Sequence, residues 1–128
     1  MNKTGLSLTE TLIVVIIFAI IASLALPMLI KTIEKARVGE AIGNLDFIRI
    51  AEKRYYQTYG TFSSDIDSLD SEDPNDPSSG YFDYTIEAAN DTDFTARAQR
   101  KADALGIYNT YYYEISKEGT ITSNGPLI

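Results

Sequence analysis

From Thr11 to Ile30 the chain carries no charged residue. As a helix rising about 1.5 Å per residue, the run from Leu12 to Ile30 is long enough to cross a hydrocarbon core of about 30 Å. A secretory signal has a shorter apolar core and then a small-residue cleavage site. Here the run passes instead into a charged helical pattern, KTIEKARVGEAI, so cleavage behind it is not expected. Lys3 precedes the run, while Lys31, Lys35 and Arg37 follow it, and the positive-inside rule therefore gives a divided answer on orientation.

With this stem set aside, roughly a hundred residues remain, enough for one small folded head. The 128 residues hold 11 Lys and Arg against 18 Asp and Glu, a net charge of -7. That balance speaks against a phosphate-backbone partner, so no nucleic acid is expected. The absence of cysteine and histidine removes thiol nucleophiles, imidazole bases, most zinc sites and every disulfide. No catalytic constellation stands out among the remaining carboxylates. The sequence therefore points to a protein that is not an enzyme and takes no cofactor.

Glu10 stands at the edge of the apolar run, where a carboxylate is costly unless a cation or a helix N-terminus meets it. By position alone, it could sit in the headgroup layer of an uncleaved anchor. The residues around it read Gly5, Leu6, Ser7, Leu8, Thr9, Glu10, a layout that resembles the processing site of type IV prepilins and type II secretion pseudopilins. In that family a short leader ends in glycine, a membrane peptidase cuts after it and methylates the new amine, and the fifth mature residue is glutamate. The resemblance assigns these roles to Gly5, Leu6 and Glu10, with Leu6 standing where the family commonly has phenylalanine. Pro27 falls where family stems carry a helix-distorting proline.

The resemblance implies an α+β fold, a long N-terminal helix packed on a small antiparallel sheet. It also implies partners: the processing peptidase, an inner-membrane platform protein, an assembly ATPase and further copies of the chain in a helical filament. The precursor is expected in the inner membrane, and the assembled subunit in an extracellular pilus or a periplasmic pseudopilus. A cleaved Leu6 amine could meet the Glu10 carboxylate of a neighbour in the low-dielectric filament core, setting subunit register. Such a head-to-tail contact does not close on itself and produces an open assembly. Three readings follow: a pilin, a pseudopilin of type II secretion, and an uncleaved membrane-anchored binding module.

The expected organisation is a leader over 1–5, an apolar helix over 6–30, an amphipathic helical half over 31–60 and a head over 61–128. Pro27 removes a backbone donor and frees the Ser23 carbonyl, predicting a bend or melted turn that the Ser23 hydroxyl could partly compensate. Beyond Lys31, the residues Val38, Ala41, Ile42, Leu45, Ile48, Tyr55 and Tyr59 share one helical face, expected to pack on the sheet. Leu29, Ala36, Phe47 and Ile50 form a second stripe that could face neighbouring stems. An unbroken helix from about Leu6 to Tyr59 would measure about 80 Å, and Gly60 supplies its stop. Residues 61–93 hold ten acids and no Lys or Arg, with Pro74, Pro77, Ser78, Ser79 and Gly80 marking loop. The acidic stretch lacks the glycine and terminal glutamate of a calcium loop, and no metal site is expected. YFDYTIEA, DFTARAQR, TYYYEIS and GTITS alternate apolar with polar residues between Asn-Asp and Glu-Gly turn signals, predicting an antiparallel sheet. Lys101 to Asn109 reads as a bridging loop, and Gly125 and Pro126 as a frayed tail.

Overall fold

The computed structural model describes residues 5–75, 80–102 and 106–125. Pro77, Ser78, Ser79 and Pro126, read above as loop and tail, lie outside them. The chain forms two compact units, Met1–Lys35 and Ala36–Ile128. Its elements are a helix α1 (Leu8–Tyr59), a short 3-10 turn (Ile66–Ser68) and four strands, β1 (Phe82–Ala89), β2 (Phe94–Arg100), β3 (Tyr112–Ser116) and β4 (Ile121–Ser123). The strands make one antiparallel sheet in sequence order. This is the α+β architecture expected, and all four strands fall where the alternating patterns place them.

Within the second unit, α1 buries Val38, Ala41, Leu45, Ile48 and Ala51 in one cluster with sheet residues Phe82, Tyr84, Phe94, Ala96, Ala98, Tyr113 and Ile115. The alternation along β2 is strict, with Phe94, Ala96, Ala98 and Arg100 buried and the residues between them half-buried. Ala96 and Ala98 are the small residues of the central strand. They are buried in one cluster with Leu45 and Ile48 of α1. On the outer face, the Arg97 guanidinium lies 4.5 Å from the Tyr112 ring centre and pairs with Glu114 at 2.6 Å and Glu87 at 3.5 Å. A bulge between Ile86 and Ala88 shifts the β1 register.

Open strand edges are a liability because their backbone groups invite pairing with other chains. Asn75 covers such groups on the edge strand β1, while Asn124 continues the pairing of β3 just past the end of β4. The Asn75 side chain donates to the Tyr84 carbonyl at 3.0 Å and accepts from the Tyr84 N–H at 2.7 Å. Asn124 accepts from the Tyr112 N–H at 2.8 Å and donates to the Thr110 carbonyl at 3.0 Å.

The helix ends as expected, with Gly60 at φ 73°, a left-handed conformation that glycine adopts without penalty. Tyr59 is a correction, for it remains 66% exposed and stacks on Tyr55 with ring centres 4.4 Å apart. The chain turns away at Gly60, and Phe62 enters the core in its place, 5.0 Å from Phe94. The following segment is also more ordered than its loop composition suggests. Asp65 accepts from the Asp67 N–H at the start of the 3-10 turn, and Ile66 and Leu69 are buried.

Glu52 fixes this corner from below. It is 0% exposed; its Oε2 accepts from the Ser63 N–H at 2.9 Å, while Oε1 has no hydrogen-bond partner among the described residues. Burial raises its pKa above the ordinary carboxylate range, an effect the Ser63 N–H partly opposes. The folded chain thus holds the Glu52 proton more tightly than the unfolded chain does. The stability this group contributes is full below the unfolded pKa and is lost as pH rises through the raised folded value. Urea melts of the detergent-solubilised chain should show the wild-type midpoint declining relative to that of Glu52→Gln as pH climbs from about 4 toward neutrality. A constant gap between the two proteins over that range would contradict it.

Candidate functional site

The candidate site is the stem. Its helix starts at Leu8 because Ser7 and Glu10 cap it reciprocally. Ser7 Oγ accepts from the Glu10 N–H at 3.2 Å, and Glu10 Oε2 accepts from the Ser7 N–H at 2.8 Å. This is a capping box, in which two amide donors that the first helical turn cannot satisfy are met by side chains. Ser7 also receives at its carbonyl the N–H of Thr11 at 3.1 Å and the Thr11 hydroxyl at 3.3 Å. The partner that Glu10 finds in this structure is therefore the helix N-terminus itself. Ser7 was not singled out above, although the spacing Ser-x-x-Glu before an apolar run is its signature.

Gly5 and Leu6 precede the helix and are exposed, leaving the Gly5–Leu6 bond accessible. From Leu8 to Leu29 every residue of α1 is exposed, and an 18-residue window reaches a mean hydropathy of 3.0 with none of it buried. The helix is thus long and apolar enough to cross a membrane, and nothing in its own unit covers it. An apolar surface of this extent is stable only against lipid or against other apolar surfaces.

The α-helix runs through Pro27 without interruption, so the melted turn predicted there is absent from this structure. The Ser23 hydroxyl donates to the Ile20 carbonyl at 2.7 Å, one turn earlier, and does not serve the carbonyl that Pro27 frees. Serine back-bonding of this kind competes locally with the helical ladder and favours bending. Leu29 and Ala36 are exposed, with Leu29 beside Ala22, Ala25 and Leu26 in a shallow apolar hollow of the stem. In the second unit, Phe47 is 68% exposed and joins Ile50, Arg54 and the segment Ser71–Pro74 in lining a groove of about 370 Å³. Thus Phe47 and Ile50 share one surface.

Among the described residues, no group of three or more acidic side chains is placed to hold a metal ion. The geometry on hand is one of surfaces, with an exposed apolar stem in one unit and a helix-on-sheet head in the other.

No protein-family model matches the chain, and no curated protein matches its sequence. A solved structure does. The crystal structure of the Neisseria meningitidis non-core minor pilin PilV aligns over 74% of this chain and 90% of that one, with a TM-score of 0.60 and 24% identity. The chain has the pilin fold. At this identity the likeness is one of architecture, a long N-terminal helix with an antiparallel four-stranded sheet, and it assigns no role to Gly5, Leu6 or Glu10.

The capping box of this pilin-like chain has a measurable consequence. Ser7→Ala should weaken the first turn by about 0.5–2 kcal/mol, seen in detergent micelles as faster amide hydrogen exchange at Glu10. Glu10→Ala should produce the corresponding loss of protection at Ser7. Unchanged exchange at both amides would show that the box is not formed.

Proposed function

We propose that this chain is a structural subunit of a type IV pilus-like helical filament, without catalytic activity. On this reading it is inserted in the inner membrane as a precursor, cleaved after Gly5 and assembled through its N-terminal helix. The observation that carries the proposal is the pairing of a pilin-fold head with a stem whose apolar surface is exposed throughout. Lipid covers that surface in the precursor, and the stems of other copies cover it in the fibre. Transfer between the two surroundings exchanges one apolar contact for another, so the hydrophobic cost of leaving the bilayer stays small.

Cleavage turns Leu6 into a positively charged terminus. Glu10 Oε2 is held by its own Ser7 N–H, which leaves Oε1 to accept the Leu6 amine of a neighbouring copy. In a dry stem bundle an unpaired carboxylate is costly, so only the register that brings amine to carboxylate is stable. The exposed residues Leu29, Ala36, Phe47 and Ile50 supply apolar area for the same packing, while Pro27 gives the stem a place to bend. The processing peptidase, platform protein and assembly ATPase are the partners such a subunit requires.

Mass spectrometry of the mature chain should place its N-terminus at Leu6, and electron microscopy should show fibres. Glu10→Ala should leave the precursor membrane-inserted and reduce fibre yield by about tenfold or more, as expected for losing one buried charge contact per subunit. Native material that retains Met1 and stays monomeric in lipid would overturn the proposal, as would normal fibres from Glu10→Ala.

A further inference from the structure

If heads pack side by side in a fibre, each meets copies of its own charge. Residues 36–128 carry eight Lys and Arg against sixteen Asp and Glu, so identical heads repel unless acids of one copy are set on cations of another. Within the second unit, two surfaces are complementary in this sense.

The first is the acidic segment 65–73. Its backbone is fixed: Ile66 and Leu69 are buried, Asp65 caps the 3-10 turn, and the Asp70 carbonyl accepts from Arg54 Nη2 at 3.4 Å. The side-chain carboxylates of Asp67, Asp70 and Glu72 have no hydrogen-bond or ion-pair partner among the described residues. Three charges are therefore displayed on a framework already ordered, which lowers the entropy lost on contact. The second surface is a hollow of about 280 Å³ with Lys53 and Lys117 on its lining. Its floor is the stacked pair Tyr56 and Phe62, 4.7 Å between ring centres. Lys117 Nζ is steadied by the Thr92 carbonyl at 2.6 Å and lies 3.7 Å from the exposed Glu118 carboxylate, while Lys53 has no partner among the described residues.

The groove that Phe47, Ile50 and Arg54 line beside the acidic segment and the hollow lined by Lys53, Tyr56 and Gln57 share no residue. Between copies they make a heterologous contact that leaves one unsatisfied surface of each kind at the ends, which is the geometry of an open assembly.

We propose that the acidic segment 65–73 of one copy seats in the Lys53–Tyr56–Phe62–Lys117 hollow of the next, as a head-to-head contact in the fibre. This rests on the filament reading above and adds a contact independent of the stem. It also accounts for lysines being held over an aromatic floor in a strongly acidic head.

The chain has no cysteine, so introduced pairs report without background. In cells producing the full chain, Lys53→Cys combined with Asp70→Cys should give, on mild oxidation of sheared fibres, a ladder of covalent multimers that neither single variant gives. Lys53→Glu with Lys117→Glu should lower fibre yield about tenfold. Adding Asp67→Lys, Asp70→Lys and Glu72→Lys to that variant should restore it. The inference fails if the double cysteine variant forms fibres without a ladder, if the thiol introduced by Lys53→Cys cross-links only to a different protein, or if the charge-reversed lysine variant assembles normally. In each of those cases Glu10→Ala still lowers fibre yield about tenfold or more and the filament reading survives. Wild-type chains that remain uncleaved and monomeric remove the filament reading and this contact together.

Discussion

The exposed apolar surface of the stem is the constraint from which the rest follows. Along Leu8 to Leu29 no side chain finds cover, and water is not a tolerable neighbour for such a surface. The helix requires lipid or other apolar surfaces around it. The capping box at its start suits both settings, because Ser7 and Glu10 satisfy each other's amides without calling on solvent. A helix end left open in a dry environment would carry unpaired donors at a cost of several kcal/mol each.

Further along the same helix the solution is different. From Val38 to Glu52 one stripe is covered by the chain's own sheet, and the stability of the head comes from that contact. Ala96 and Ala98 share that core with the larger Leu45 and Ile48, a combination of small and large residues that suits close packing. Asn75 then covers edge groups of β1 that would otherwise seek a partner strand, and Asn124 extends the pairing of β3 past the end of β4.

Much of this was legible in the sequence. The strands were, since YFDYTIEA, DFTARAQR and TYYYEIS repeat with period two, and a half-buried sheet imposes that period directly. Most of the helical face was, since its apolar spacing follows from the turn of the helix. Tyr59 was not, because periodicity alone cannot show where the chain departs, and Phe62 takes the place that Tyr59 would have filled. Ser7 was readable as a capping box but was overshadowed by its neighbours in the processing motif. Glu52 was invisible, because a carboxylate beside Ala51 and Lys53 looks like part of a solvated surface until Phe62 and Ser63 fold over it. At Pro27 the helix stays continuous, so of the bend or melted turn expected there the melted turn is absent, because the loss of one ladder bond is tolerated when the bonds on either side remain.

What the sequence determined by itself is local or periodic: an uncharged run with one acid at its edge, a glycine in the right place before it, a helix stop at Gly60 and alternating strands. These depend on neighbours a few residues apart, and such relations survive in a linear reading. Tertiary structure alone decided which carboxylate is buried, how the acidic segment is pinned, and that Lys53 and Lys117 meet across an aromatic pair. Those facts join residues as far apart as Lys53 and Lys117, whose proximity exists only once the helix has docked on the sheet.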